Sequence, residues 1–477
     1  MFKENLARKT KIVCTIGPAS ENKEMLTKLV KNGMNVMRLN FSHGSYEEHL
    51  AKINTLEEIN KELRASTAIL LDTKGPEIRT GDFEGGKAIF EKGQQCIVSC
   101  EDDFKGTNEK FTITYKNLCE DVEAGGTILV NDGQVALTID KVVGKEIFCT
   151  CQNDGIVKNK RGINVPGIKL GFDYLSKKDI KDIEFGCTQP ISYVAASFTR
   201  RAQDIIDIKK LLVENGRSDI QIIAKIENSE GVENLDEILE IADGIMIARG
   251  DLGVEVPAEM VPLIQKKIIK VCKAKGKLVI TATQMLESMQ ENPRPTRAEV
   301  SDVANAIFDG TDAIMLSGES ASGKYPVESV QTMGRIAATV ETELDHAALY
   351  RKAVRTATED TSEAICMSAA EIASKFDVAC VVAFTQSGFT AKKMSRYRLK
   401  APIIAATPED NTIKSLAVSW GVTAVKCKHF DSRTMMIEYA QVLAKEYGAK
   451  HGDMIVVTGG TPGIAGQTSY LEIITIK

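Results

Sequence analysis

Eight short runs in which nearly every position is apolar recur along the chain, each ending on polar or ionisable residues. They are IVCTIG to Gly17, VMRLNFS to Ser42, AILLDTKG to Gly75, ISYVAASF to Phe198, IQIIAKIE to Glu227, GIMIARGD to Asp251, LVITATQ to Gln284 and AIMLSGE to Glu319. Runs that do not alternate suit strands covered on both faces, and stretches of helical period such as MLTKLVKNG and QDIIDIKKLLVENG separate them. Most intervals are about 23 to 34 residues, the length of one βα unit, and eight such units predict a closed (β/α)8 or TIM barrel. In that architecture the C-terminal ends of the strands carry the chemistry. Here those ends present Thr15, Arg38, Asn40, Ser42, Asp72, Lys225, Glu227, Asp251 and Thr283, where a purely structural barrel would place apolar residues.

The rhythm is suspended between the third and fourth runs. From Pro76 to Leu170 the chain alternates and is punctuated by glycine, as in FTITYKNL, GGTILVNDGQVALTIDKVVGKEIFC and RGINVPGIKL. That pattern predicts a small all-β domain inserted at the catalytic end of the barrel, placed to act as a lid. After about His346 a fresh series of helices and strands (SEAICMSAAEIASKF, VACVVAF, TAKKMSRYR, PIIAAT, TIKSLAVSW, VTAVK, TMMIEYAQVLAKEYG, DMIVVTG, LEIITI) predicts a separate α/β sheet domain. The expected division is 1–75 with 171–345 for the barrel, 76–170 for the inserted β-barrel lid and 346–477 for the C-terminal α/β domain.

Composition narrows the class without choosing a function. With 477 residues, 43% hydrophobic, 26% charged and a formal net charge of -5, the chain reads as an ordinary globular protein of several domains with no general nucleic-acid surface. No run reaches the roughly 18 apolar residues of a membrane span, and MFKENLARKTK lacks a signal-peptide core, so the expected location is cytoplasmic. The 11 cysteines are scattered with no CxxC pair, which predicts buried or free thiols rather than disulfides or a zinc site.

Glu227 and Asp251 end consecutive predicted strands. Two carboxylates suffice for magnesium when water and substrate oxygens fill its remaining positions; ion pairing with Lys225 and Arg249 is the plainer alternative. Lys225 stands two residues before Glu227, so in a strand both side chains point the same way. A cation beside a metal suits phosphoryl transfer, with Arg38 and Arg79 as further phosphate clamps. The competing chemistry is a Schiff-base lyase with Lys225 as nucleophile, which neighbouring acids oppose by keeping the amine charged. Asn40, Ser42, Asp72 and Thr73 offer four oxygen donors with one formal charge, a set suited to a monovalent cation. Alternatively, Asn40 and Ser42 cap the following helix. His43, alone in that turn, is given no acid–base role.

The motifs MRLNFSHG, LDTKGPEIRTG, AKIENSEG, DGIMIARGDLGVEVP and TATQMLESMQENPRPTRAEVSDVANAIFDGTDAIMLSGE together resemble those of the pyruvate kinase family, and the resemblance spans essentially the whole chain. It implies transfer of the phosphoryl group of phosphoenolpyruvate to ADP, giving pyruvate and ATP, with magnesium (manganese in its place) and potassium. It further implies that Lys225, Arg38 and Thr283 are catalytic and that Gly250 and Asp251 bind substrate with them. Glu227 and Asp251 would bind magnesium, and Asn40, Ser42, Asp72 and Thr73 potassium. The nucleotide would meet Asn40, Phe41, Ser42, His43, Arg79 and Arg161, the last where relatives often carry lysine. Glu77 matches the potassium-dependent version of its motif. In the C-terminal domain, Thr385, Ser387, Gly388 and Thr390 of TQSGFTA resemble a loop that grips the phosphate of an allosteric effector. Gln386 and Phe389 replace basic residues found in relatives that bind fructose 1,6-bisphosphate, leaving AMP or a sugar monophosphate equally open. A homotetramer is the expected assembly.

Overall fold

The computed structural model describes residues 8–460 and 467–477. All eight apolar runs are strands: β1 (Lys11–Thr15), β2 (Val36–Asn40), β3 (Ala68–Asp72), β4 (Tyr193–Ala196), β5 (Gln221–Ile226), β6 (Gly244–Ala248), β7 (Leu278–Ala282) and β8 (Ala313–Leu316). They close into a barrel in the order β1-β8-β7-β6-β5-β4-β3-β2, with parallel pairing throughout. Every position of β1 and β3 through β8 is buried, which is why these runs do not alternate.

Two separate apolar clusters reveal which way each side chain faces. Val13, Val36, Leu70, Tyr193, Ile223, Met246, Ile280 and Met315 pack together inside the barrel. Their chain neighbours Ile12, Met37, Leu71, Val194, Ile222, Ile245, Val279 and Ile314 pack outward against the helices. With a period of two, the inward face continues upward to Thr15, Arg38, Asp72, Ser197, Lys225 and Glu227. Several of the barrel helices start on side-chain caps: Asn22 accepts from Met25 N, and Ser45 and Thr296 form reciprocal capping boxes with Glu48 and Glu299.

Between β3 and β4 the chain builds a seven-stranded sheet running from Ile78 to Asn164 and a two-stranded ribbon, Lys87–Phe90 with Gly155–Lys158. Their shared core includes Phe83, Phe90 and Phe111, whose rings meet edge-on or tilted. Only a helix of four residues, Leu118–Asp121, and a short 3-10 turn interrupt the all-β character. Cys100 and Cys119, with Cα atoms 6.5 Å apart, form a disulfide here, a departure from the expected free thiols. Spacing along the chain conceals the pair, because the fold brings the end of one strand against the short helix. The other nine cysteines are free and buried.

The C-terminal domain is a five-stranded sheet of β9 (Val378–Phe384), β10 (Ile403–Thr407), β11 (Val422–Lys426), β12 (Met454–Gly459) and β13 (Tyr470–Thr475), in the order β11-β10-β9-β12-β13 with only β13 antiparallel. Helices Thr361–Lys375, Phe389–Arg396 and Arg433–Glu446 lie where the periodicity predicts them. The segment TIKSLAVSW departs from expectation, since its helix stops at Ser415. Ala417 and Val418 instead pack with the barrel's interior cluster from below, and Tyr193 and Gln221 donate to the Ser415 carbonyl, both at 2.8 Å. No described helix is long and apolar enough to cross a membrane.

Candidate active site

Four strands deliver a continuous chain of charge to the barrel mouth. Arg38 donates through Nη1 to Thr15 Oγ1 at 2.8 Å and through Nε to Asp72 Oδ2 at 2.6 Å. The other oxygen of Asp72 lies 3.1 Å from Lys225 Nζ, which also sits 2.9 Å from Glu227 Oε1. Glu227 Oε2 in turn accepts the backbone N–H of Phe198 at 2.5 Å. Lys225, Glu227 and Asp72 are all buried.

Such burial is tolerated only because each charge is paired, and the pairing decides protonation. Burial works against the Lys225 ammonium, but Asp72 and Glu227 outweigh it and push the amine up to about 12. Burial likewise works to raise Asp72, and Arg38 with Lys225 overcomes it and holds the carboxyl below its ordinary value. Glu227 and Asp251 behave differently. Burial lifts both above the usual carboxylate range despite the pull of Lys225, and their mutual proximity raises Glu227 further. A pair of buried carboxylates held up in this way is short of positive charge, which a hard dication would supply. Among the described residues no group of three or more His, Cys, Asp or Glu side chains could hold a metal ion, so an ion at Glu227 and Asp251 would need water and substrate oxygens in its other positions.

Asp251 is not at a strand end. It sits in the first turn of the helix Arg249–Glu255 that follows β6. Arg249 turns away from the carboxylates, pairing with Asp302 at 2.7 Å and donating to the Thr283 carbonyl at 2.7 Å. It thereby holds the loop after β7, whose Thr283 Oγ1 accepts the Gly250 N–H at 2.8 Å. Thr283 and Gln284 have left-handed backbones, φ 66° and 52°, as does Phe198 at 53°, so the walls of the site are conformations kept by their surroundings. Glu319, fully buried, fixes this loop from the other side by accepting from Leu286 N and Ser317 N.

Asn40 and Asp72 are direct neighbours across β2 and β3. Neither Asn40 nor Ser42 caps the next helix, a role that Ser45 fills; Asn40 Oδ1 accepts the Ser42 N–H at 3.1 Å. Thr73 Oγ1 accepts from Ser197 N at 3.1 Å and lies 3.3 Å from the Ala195 carbonyl. In the same turn His43 is exposed, while the Phe41 ring is buried and stacked on His49 at 4.0 Å; its backbone is engaged as well, the N–H donating to the Asp72 carbonyl at 3.0 Å and the carbonyl accepting from Lys178 Nζ at 2.7 Å. Arg79 pairs with Glu77 at 2.8 Å and donates to the Lys160 carbonyl at 2.7 Å. Arg161 is exposed on the adjacent strand edge, with its backbone tied to Thr80.

Two residues of the site escape a reading of the sequence. Ser197 Oγ lies 2.7 Å from Lys225 Nζ and 2.9 Å from Asp72 Oδ1, bridging the two. Its position one residue past β4, in line with that strand's inward face, is the only signal available in advance. Asp132 comes from the inserted domain and faces Asp251 across a cleft of about 80 Å³ that Glu77, Phe198 and Asn228 also line. The inserted domain is anchored there by Asn164 donating to Glu255 at 2.7 Å.

In the C-terminal domain the turn from Thr385 to Thr390 joins β9 to the helix Phe389–Arg396, with Gly388 left-handed at φ 81° and no side-chain cap. Thr385 and Thr390 are buried, and Thr390 Oγ1 meets Thr468 Oγ1 at 2.8 Å. The turn stands at the carboxyl end of β9, between β10 and β12, where the strand order reverses.

Comparison with known proteins agrees with this geometry. Residues 7–330 match the family model described as pyruvate kinase, barrel domain, and residues 363–474 the model described as pyruvate kinase, alpha/beta domain. The chain is 51% identical to a pyruvate kinase of Bacillus licheniformis over 98% of its own length and 80% of that protein, and 46% identical to one of Clostridium acetobutylicum over 98% and 100%. A crystal structure of a pyruvate kinase from Cryptosporidium parvum superposes with a TM-score of 0.95 at 36% identity, covering 99% of this chain and 97% of the other. With both domain models matched in order and near full-length identity of about half, the chain belongs to the pyruvate kinase family.

Proposed function

We propose that the barrel mouth transfers the phosphoryl group of phosphoenolpyruvate to ADP in a magnesium-dependent, potassium-activated reaction, with the inserted domain (76–170) as a lid over the nucleotide. The observation that carries the reading is the clamped Lys225: held charged between Asp72 and Glu227, it is a fixed cation and not a nucleophilic amine, which disfavours a Schiff-base lyase. Arg38, locked by Thr15 and Asp72, is the second fixed cation. Together they meet the charge spread over a phosphoryl group moving between oxygens, without reorganising during the step.

Glu227 and Asp251 are the residues that would hold magnesium, which supplies Lewis-acid stabilisation of phosphate oxygens when bound. Gly250 and Thr283, joined by the hydrogen bond between them, position substrate beside that pair. Asn40, Ser42, Asp72 and Thr73 are the proposed potassium ligands, with Asn40, Phe41, Ser42, His43, Arg79 and Arg161 toward the nucleotide. The TQSGFT turn of the C-terminal domain (346–477) is read as an effector-phosphate site, because crevices at the reversal point of an open parallel sheet are where such folds bind ligands. A cytoplasmic homotetramer is the proposed working state.

The deciding experiment is pyruvate formation from phosphoenolpyruvate and ADP by the native chain and by Glu227→Gln, which retains an acceptor for Phe198 N. Turnover that needs magnesium and falls at least 100-fold in the variant is expected. Undiminished turnover in the variant would remove Glu227 from the metal site, and equal rates in sodium-only and potassium buffers would overturn the potassium assignment.

A further inference from the structure

At the seam between the barrel floor and the C-terminal domain lies a cavity of about 150 Å³. One water needs roughly 10–15 Å³ measured in the same way, so the space holds something larger than a single solvent molecule. Five cationic side chains line it: Lys273 and Lys277 from the barrel, and Lys392, Arg396 and Arg398 from the C-terminal domain. Arg396 is paired outside the cavity with Glu363 at 3.2 Å; on the lining itself the only acids are Asp243 and Asp312, and both are already engaged. Asp312 takes Arg398 Nη2 at 2.7 Å and Val279 N at 2.9 Å, and Asp243 accepts Ile222 N at 2.9 Å.

The donors facing this space are not all used. Arg398 is 4% exposed, yet its Nε and Nη1 have no partner, while Nη2 alone holds Gly310 and Asp312. Ser419, fully buried on the same lining, has an unpartnered hydroxyl. Lys392 has only the neutral Gln221 amide oxygen, at 2.7 Å. A guanidinium buried with two idle donors is costly unless something accepts from it. Its backbone is left-handed, φ 52°, and its plane lies 4.9 Å from the centre of the Trp420 ring, so the head is fixed in place rather than free to reach solvent.

We propose that this seam cavity binds one small dianion, inorganic phosphate or the phosphate end of a phosphomonoester, gripped by Arg398, Lys392 and Ser419. The surplus of positive charge favours an anion over a cluster of waters. Burial also lowers the three lysine amines there, Lys273 to about 7, and an anion restores their charge. The cavity is lined by Lys392, Ser395 and Arg396 of the helix Phe389–Arg396, none of which belongs to the TQSGFT turn, whose last two residues open that helix, so the two positions are separate. Since the gripping groups come from the C-terminal domain and Lys273 and Lys277 from the barrel, occupancy ties the two domains together.

Trp420 is the only tryptophan and touches Arg398, which makes its emission a local reporter. The full chain is titrated with inorganic phosphate, and separately with glycerol 3-phosphate, at ionic strength held constant with chloride. A saturable change in emission is expected, with a rise in melting temperature; the tighter of the two ligands identifies free phosphate or a phosphomonoester as the source. Lys392→Gln and Ser419→Ala should each weaken binding about tenfold, and Ser387→Ala in the turn should not. Arg398 itself is left intact because Nη2 secures Gly310 and Asp312. No saturable response in the native chain, equal affinities in the Lys392→Gln and Ser419→Ala variants, or a response abolished by Ser387→Ala would each overturn the site.

Discussion

Lys225 and Asp72 are brought to one point by Ser197, whose oxygen stands between them although the residues lie 28 and 125 positions away along the chain. Hydrogen bonds to charged groups contribute about 1.5–3 kcal/mol, so Ser197→Ala should lower kcat about 10- to 100-fold through a less firmly placed Lys225. The melting temperature should fall modestly from the lost hydrogen bonds, while circular dichroism should stay close to native, because the alanine adds no atom to the site. Unchanged kcat would reduce Ser197 to a packing residue. Lys225, Glu227, Arg38 and Asp72 are legible beforehand because a strand's period of two, continued past its last apolar residue, already points them inward. Ser197 follows the same rule but ends AAS in a run of small residues, and nothing local distinguishes it.

At the junction of β3 with the inserted domain, Gly75 has φ 70° and donates its N–H to Asp179 at 3.0 Å. A Cβ there would fall 2.8 Å from the Ser197 carbonyl oxygen, so the tightness of this turn and the placing of Ser197 are one constraint. Gly75→Ala should cost at least about 1–2 kcal/mol from the left-handed backbone, plus the clash, lowering the melting temperature and the rate together. Gly75→Asn tolerates the backbone but keeps the Cβ; if its melting temperature equals the native value, the close approach is not the constraint. Strands and capped helices follow from local pattern. The stop at Ser415 does not, since the residues after it have helical period and are turned aside to fill the barrel floor.

Across the molecule, the barrel and the C-terminal domain share a seam of buried amines. Lys11 in β1 donates to the Val422 carbonyl at 2.7 Å, and burial with Arg8 nearby brings its amine down to about 7. In the unfolded chain the amine titrates near 10.4. Between about pH 7 and 10 the unfolded state therefore binds more protons than the folded one, and stability rises with pH. The penalty is fully present below about pH 7. Lys11→Met should flatten this rise, by up to about 1.4 kcal/mol per pH unit, in melting curves recorded from pH 7 to 9. An unaltered slope would show that Lys11 stays charged in the seam.

The sequence by itself determined the barrel, the inserted β domain, the C-terminal sheet and most of the charged site, because each depends on periodicity along a single strand or helix and on motifs contiguous in the chain. Only the tertiary structure decided what depends on distant segments meeting. Arg249 faces Asp302 instead of the carboxylates, Phe41 turns its ring into the core, Cys100 finds Cys119, and Asp132 crosses from another domain to face Asp251. The physical reason is common to all of them: a side chain's direction is local information, but its partner is set by packing between elements, which no spacing along the chain records.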